Sequence, residues 1–83
     1  MAYKITFKNS VWRDLKRVDK KHAERILNKI ERDLPEKAED YPELTGKFAG
    51  LRKYRVGDYR IVYAVVDDTV LILRVRHRRD VYR

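Results

Sequence analysis

The sequence predicts an α+β fold with the order β-α-α-β-β-β, in which a twisted antiparallel sheet packs against a helical hairpin. Apolar and polar residues alternate near the amino terminus and again after residue 50, which is the period of half-buried strands. Between residues 11 and 34 the apolar residues recur every three or four positions, as in amphipathic helices. With 83 residues, the chain is expected to form one domain over residues 1–83.

The composition excludes several kinds of site. The chain has no cysteine and only two histidines, which excludes disulfides and thiolate zinc sites, and we expect neither a metal nor any other cofactor. No run of about 18 apolar residues could span a membrane, and the polar amino terminus does not resemble a signal peptide. We therefore predict a cytoplasmic protein without a membrane partner.

Positive charge is concentrated in the last two fifths of the chain. The formal net charge is +8. Residues 51–83 contain nine Lys and Arg against four Asp and Glu, and the nine lie in two blocks, 52–60 and 74–83. Unpaired, clustered cations typically bind a polyanion. We predict that the two blocks form one patch that binds nucleic acid.

The first part of the chain predicts one strand and one helix. Residues 3–8 alternate as a strand whose inward residues are Tyr3, Ile5 and Phe7. A helix follows, with Asn9 or Ser10 as its cap. Its predicted core positions are Val11, Trp12, Leu15 and Val18, and its predicted outer positions are Arg13, Asp14, Lys16 and Arg17.

A second helix is predicted to begin after Asp19, a plausible cap. Pro35 either stops this helix or opens a short further turn. The apolar positions of the helix are Ala23, Ile26, Leu27, Ile30 and Leu34, while His22 near its start is expected at the surface. A polar connection over residues 35–50 follows, with Tyr41, Leu44 and Phe48 as predicted anchors to the core.

Residues 51–63 predict a β-hairpin around a two-residue turn. Gly57 and Asp58 form a Gly-X turn in which Gly57 takes the positive φ of type II′. The predicted cross-strand pairs are Val56 with Tyr59, Arg55 with Arg60, Tyr54 with Ile61 and Lys53 with Val62. Alternation then places Lys53, Arg55 and Arg60 on one face. The opposite, apolar face holds Tyr54, Val56, Tyr59, Ile61 and Tyr63.

The predicted pairing of Arg55 with Arg60 has a cost. Like charges directly across a strand pair destabilise a sheet by some tenths of a kcal/mol to about 1 kcal/mol. A solvated outer face would account for any single arginine there. Three cations on one hairpin face without an interleaved acid favour a phosphate-binding surface instead.

A last strand over residues 69–76 has two possible registers. A two-residue loop of Asp67 and Asp68 would place the odd-numbered residues of the strand on the same side as Arg60, and these are Leu71, Leu73 and Val75. We favour a three-residue loop that includes Thr69, because it sends those apolar residues to the helices and leaves Arg74 and Arg76 beside Arg60. The first strand is expected at the sheet edge or beside the last strand.

Two motifs resemble the RelE/ParE superfamily of bacterial and archaeal toxins. They are residues 50–63, which read GLRKYRVGDYRIVY, and residues 77–82, which read HRRDVY. The order of one strand, two helices and three strands extends the resemblance over the whole chain. The resemblance implies a RelE-like fold and a partner antitoxin that wraps the toxin.

The RelE-like branch implies a ribosome-dependent mRNA endonuclease, in which a 2′-hydroxyl attacks the adjacent phosphate. By position, Arg60 would stabilise the phosphorane, Arg78 would assist the leaving oxygen, and Lys53 would be the general base. Tyr82 would stack on or orient a base. The remaining RNA-binding residues would be Arg55, Arg74, Arg76 and His77, and His77 is a second candidate for the catalytic group.

Two features keep alternatives open. Some members carry a second lysine where this chain has Leu51, which leaves the identity of the base undecided, and Arg52 beside it should point to the opposite side. The ParE-like branch poisons DNA gyrase and does not cut RNA, and it generally lacks the terminal tyrosine. Tyr82 therefore favours the nuclease over the gyrase poison, while a plain RNA-binding module is a third reading.

Overall fold

A computed structural model describes residues 2–81, with Asp80 and Val81 described by their backbone alone. The first elements are strand β1 (Lys4–Phe7), helix α1 (Asn9–Leu15), helix α2 (Lys20–Lys37) and a 3₁₀ turn (Gly46–Phe48). The remaining elements are strands β2 (Arg52–Val56), β3 (Tyr59–Val66) and β4 (Thr69–His77) and helix α3 (Arg78–Val81). The predicted α+β order is confirmed. Within residues 2–81, no helix is long and apolar enough to cross a membrane.

The four strands form one sheet in the order β1-β4-β3-β2. β2, β3 and β4 are antiparallel neighbours, as predicted. β1 lies at the edge beside β4, also as predicted, but it runs parallel to β4, so the sheet is mixed and the expectation of a wholly antiparallel sheet is wrong. No hairpin joins β1 to β4, and only a tight hairpin would have forced them to run in opposite directions.

The core lies between the helices and one face of the sheet. From α2, Ile26, Ile30 and Leu34 are buried, which confirms the helical period predicted for this segment. The sheet residues that meet them are Tyr54, Val56, Ile61, Tyr63, Val70, Ile72 and Val75. Tyr63 donates its hydroxyl to the backbone oxygen of Ala38 at 2.7 Å. Burial raises the pKa of Tyr63 to about 12.

The side of helix α1 that faces the core differs from the predicted one. Val11 and Leu15 are buried, four positions apart, and Trp12 lies one position round the helix with 45% of its surface exposed. Trp12 packs on the ring of Phe7 at a centroid distance of 5.1 Å instead of entering the core. Asp14 was predicted on the outer side, but only 12% of its side chain is exposed, because it faces β4.

Helix α2 begins as predicted, and Pro35 lies within its last turn. The Asp19 side chain accepts a hydrogen bond from the backbone of Lys21 at 3.3 Å. Pro35 does not stop the helix, which continues to Lys37. A proline in the last turn removes only one internal hydrogen bond, and the carbonyl of Pro35 accepts the N–H of Tyr3 at 2.8 Å. In the connection that follows, Tyr41 packs on the core, Leu44 is half-buried and Phe48 is 52% exposed.

The turn between β3 and β4 has two residues, so the predicted three-residue loop is wrong. Val66 pairs with Thr69, and the buried residues that follow are Val70 and Ile72. The predicted inward positions Leu71 and Leu73 are only half-buried, with Leu71 opposite Ala64.

A β-bulge then changes the alternation of β4. Tyr63 pairs with Ile72 and Val62 pairs with Arg74, so Leu73 is an extra residue. After it, Val75 lies opposite Ile61 in the core, while Arg74 and Arg76 lie on the opposite face, as predicted. The bulge therefore reconciles a two-residue turn with outward-facing arginines.

Helix α1 supplies hydrogen bonds to β4 at the bulge. β1 ends at Phe7, opposite Ile72, so β4 loses its strand neighbour at that point. The Ser10 hydroxyl donates to the backbone oxygen of Leu73 at 2.6 Å, and the N–H of Val75 donates to Asp14 at 2.9 Å. Side chains of α1 thus satisfy backbone groups that a continued β1 would have paired.

Candidate nucleic-acid interface

The β2–β3 hairpin has the predicted register throughout. All four predicted pairs are present, from Val56 with Tyr59 to Lys53 with Val62. Gly57 has φ +58° and Asp58 does not have a positive φ, which is the sign pattern of a type II′ turn. The apolar face of the hairpin is buried, with Tyr54 and Ile61 in the core. The cations predicted on the other face consequently point away from the helices.

Three strands bring five cations to this outer face, which we call the basic face and define as Lys53, Arg55, Arg60, Arg74 and Arg76. Arg55 lies opposite Arg60, and Arg60 lies opposite Arg76 on its other side. Neighbouring strands are about 5 Å apart, so three arginines form one row across the sheet. A second row consists of Lys53, Val62 and Arg74.

Most of the basic face is not neutralised. Among the side chains that the structure describes, no carboxylate lies within 4.0 Å of Lys53, Arg55, Arg60 or Arg76. The Nε–H of Arg60 is buried without an acceptor among them. A buried donor left without an acceptor costs about 1–3 kcal/mol. The centre of the row therefore carries a half-buried guanidinium whose charge no described carboxylate compensates.

Three of the predicted residues share one groove. Lys53, Arg55 and Arg60 line a groove of about 500 Å³ together with Tyr41, Pro42 and Tyr54. Arg52, between Leu51 and Lys53, points the other way, as predicted, and donates to the backbone oxygen of Tyr41 at 2.6 Å. The groove thus has three cations for phosphate groups and aromatic surface beside them.

Arg74 differs from the other cations of the basic face. It makes two hydrogen bonds to Asp14, at 2.9 and 3.1 Å, and the hydrogen-bonded carboxylate raises the pKa of Arg74. Its charge is therefore largely compensated within the protein. Asp14 was not singled out from the sequence, since the alternation of polar residues on α1 gave it no distinguishing signal.

The remaining predicted residues lie near the hairpin turn. His77 pairs with Tyr59 on β3 and is therefore on the opposite face of β4 from Arg76. Arg78 is exposed at the start of α3, and its N–H donates to the backbone oxygen of Asp58 at 2.8 Å, which places the described start of the carboxyl-terminal segment beside the hairpin, as predicted. Tyr82 lies outside the described residues.

The fold is that of toxins from type II toxin–antitoxin systems, as solved structures of such toxins show. The family described as "ParE toxin of type II toxin-antitoxin system, parDE" matches residues 5–82. The chain therefore belongs to this family, within the RelE/ParE toxin superfamily.

Individual relatives agree with this assignment. Toxin RelG of Mycobacterium tuberculosis is 34% identical over 86 residues, covering 100% of this chain and 99% of that protein. The RelBE2 toxin–antitoxin complex of M. tuberculosis contains a similar chain, with a TM-score of 0.83, 28% identity and coverage of 94% of this chain and 100% of that one. The RelB–RelE complex of Methanococcus jannaschii gives a TM-score of 0.71 and 28% identity, covering 92% and 93% of the two chains.

Proposed function

We propose that this toxin is a ribosome-dependent mRNA endonuclease that inhibits translation in the cytoplasm. The observation that carries the proposal is the row of Arg55, Arg60 and Arg76, none of which has an ion-pair partner among the described residues. Charge that develops on a phosphate during cleavage is stabilised by donors held in place before the reaction. Folding alone does not favour three adjacent arginines, since each neighbouring pair is repulsive.

The proposed reaction is attack of a 2′-hydroxyl on the adjacent phosphate, without a metal ion. Arg60 stabilises the phosphorane, and Lys53, which lines the same groove, takes the proton from the 2′-hydroxyl. Arg78 assists the leaving oxygen and Tyr82 orients a base. Arg55, Arg76 and His77 bind the RNA, and Arg74 contributes less because Asp14 already compensates its charge.

We attribute the alignment of the RNA strand for cleavage to the ribosome. The three cations that line the groove beside the hairpin attract phosphate groups by charge, and charge alone does not align a 2′-hydroxyl with the phosphate that it attacks. Orientation of the reacting atoms accounts for a large part of catalysis, so the ribosome would supply it. We also propose a cognate antitoxin as a second partner, because two of the similar structures are toxin–antitoxin complexes and the chain carries +8.

The test is cleavage of mRNA on ribosomes programmed with a defined codon in the decoding site. We expect cleavage there and survival of the same mRNA without ribosomes. Arg60→Ala should reduce cleavage by about 10²-fold or more, as loss of one charge-stabilising donor does elsewhere. Lys37→Ala, which removes an exposed cation from the end of α2, is the matched control and should cleave normally. Intact mRNA on the ribosome would contradict the proposal.

A second candidate function is inhibition of DNA gyrase. It is supported by the family match, whose description names the ParE toxin. A supercoiling assay with purified gyrase distinguishes the two. Blocked supercoiling together with intact mRNA on the ribosome would establish the gyrase poison, while normal supercoiling with mRNA cleavage would establish the nuclease.

A further inference from the structure

A second groove crosses the edge of β4 beyond the point where β1 ends. We call it the β4-edge groove. It has a volume of about 360 Å³ and is lined by Asp14, Arg17, Val18, Tyr59, Arg74, Val75, Arg76 and His77. A hollow of about 200 Å³ adjoins it, sharing Tyr59 and His77 and adding His22 and Arg25. The groove exists because α1, and not a strand, flanks this part of β4.

Three aromatic rings meet along the groove and its hollow. The ring centroid of Tyr59 lies 5.2 Å from that of His77, with the two rings at 87° to each other, and 6.1 Å from that of His22, with the rings at 46°. A flat base can therefore stack on one of the three rings at a time. Tyr59 and His77 are half-buried and His22 is exposed, so part of their surface is open to solvent. Exposed aromatic rings of this kind bind nucleobases by stacking, and such stacking tolerates any base.

Cations surround these rings. Arg17, Arg25 and Arg76 have no ion-pair partner among the side chains described for this chain. The acidic groups that line the groove and the hollow are Asp14, which is hydrogen-bonded to Arg74, and Asp58, which lies 4.0 Å from Arg78. The unpaired charge at this site is therefore positive, which favours a phosphate close to the rings.

The β4-edge groove is continuous with the basic face. Arg76 belongs to the row with Arg60 and also lines the groove. Tyr59 and His77 lie on the opposite face of the sheet at the same end, so the groove leads around the edge of β4 from one face to the other. A strand of RNA with one phosphate at Arg60 can place a neighbouring phosphate at Arg76 and the next base in the groove.

We propose that the β4-edge groove binds a nucleotide that flanks the phosphate held on the basic face, with its base stacked on the exposed ring of His22 beside Tyr59 and His77 and its phosphate at Arg17 and Arg76. The proposal rests on the proposed function, because it assumes single-stranded RNA on the basic face. It adds residues of α1 and α2 to the RNA-binding surface.

The experiment uses an RNA trinucleotide with 2′-O-methyl riboses, which has no 2′-hydroxyl and cannot be cleaved. The trinucleotide is titrated into the full-length ¹⁵N-labelled toxin and followed by NMR, and its affinity is measured at several salt concentrations. We expect the amides of Tyr59 and His77 to shift together with those of Arg55 and Arg60. Arg17→Ala should lower the slope of log K against log salt by about 0.7, the value for one phosphate contact on a single strand.

Matched variants make the result specific to the groove. Lys16→Ala removes the same charge one residue away, from an exposed position outside the lining, and should leave the slope unchanged. His22→Ala should weaken binding about fivefold, the lower end for loss of one stacking ring. His22→Phe keeps an aromatic ring and should restore the affinity.

Two results would overturn the proposal. RNA binds the basic face without entering the groove if two results coincide. The amide signals of Arg55 and Arg60 shift while those of Tyr59 and His77 do not, and Arg17→Ala changes the salt slope no more than Lys16→Ala does. If no amide shifts at millimolar trinucleotide, the groove is not a nucleotide site. In either case the ribosome assay with Arg60→Ala decides the proposed function separately.

Discussion

The two hairpins of this sheet share β3 and have the same kind of turn, yet they differ in how their register is held. Each turn has two residues with a positive φ at the first, +58° at Gly57 and 55° at Asp67. The β2–β3 ladder is regular along its whole length. The β3–β4 ladder is interrupted by a bulge at Leu73, beside which α1 donates and accepts hydrogen bonds.

The difference shows two ways of placing cations on one face. In β2 and β3, strict alternation suffices, because the four buried residues fall in phase with the turn, and these are Tyr54, Val56, Ile61 and Tyr63. In β4 the buried residue Val75 is out of phase with Val70 and Ile72, which precede it. The extra residue corrects the phase, and contacts with α1 stabilise the corrected strand.

The largest effect is expected from the core of the regular hairpin. Tyr54→Ala removes a buried aromatic ring and should lower the free energy of unfolding by about 3–5 kcal/mol. Tyr54→Phe is the control, because it removes only the hydroxyl that donates to Asp33, and it should cost about 1–2 kcal/mol. Urea unfolding measures both. If Tyr54→Ala folds with an unchanged free energy of unfolding, this face of the hairpin is not the core face.

A smaller loss of stability is expected from a substitution at the bulge. Asp14→Ala leaves the N–H of Val75 and the guanidinium of Arg74 without their acceptor, which should cost about 2 kcal/mol. Asp14→Asn keeps an oxygen acceptor for Val75 and should cost about 1 kcal/mol or less. Hydrogen exchange at the Val75 amide should accelerate in the alanine variant alone. Unchanged exchange there would show that α1 does not hold the bulge.

One substitution in each turn measures how much the positive φ at its first residue affects stability. Gly57→Ala introduces a Cβ at a positive φ, and no heavy atom outside residues 56–58 lies within 4 Å of that Cβ. The cost, about 1–2 kcal/mol, is therefore backbone strain. Asp67→Gly should stabilise the protein by less than about 1 kcal/mol, because relief of strain is partly cancelled by the greater freedom of glycine in the unfolded chain. Melting temperatures of both variants measure the pair. A stabilising Gly57→Ala would contradict the positive φ.

The smallest change in stability separates folding from function on the regular hairpin. Arg55→Glu converts a repulsive pair with Arg60 into an attractive one and should raise stability by some tenths of a kcal/mol to about 1 kcal/mol. If the proposed function holds, the same change places a negative charge beside the phosphate and should reduce cleavage by orders of magnitude. Arg55→Gln removes the repulsion without adding an attraction. Its stability should therefore lie between that of the unchanged protein and that of Arg55→Glu. Melting of Arg55→Glu at a lower temperature would contradict the predicted pairing.

Much of the site followed from local sequence. The turn at Gly57 and Asp58 and the alternation on both sides fix the face on which Lys53, Arg55 and Arg60 lie, because a slip by one residue would bury all three. The helical spacing of Ile26, Ile30 and Leu34 likewise fixes the buried side of α2. These are interactions between residues close in the chain, so periodicity and turn chemistry are enough to predict them.

The parts that the sequence did not determine depend on contacts between distant segments. Asp14 and Arg74 are 60 positions apart, and their pairing decides that Asp14 faces β4 and not solvent. Trp12 is exposed because the direction in which α1 docks, not its apolar character, decides which side is covered. The bulge at Leu73 forms where β1 ends and α1 begins, a junction visible only once the strands are assembled. The hairpin sequence therefore determined which face carries cations, and tertiary packing decided that the arginines of β4 lie on the same face.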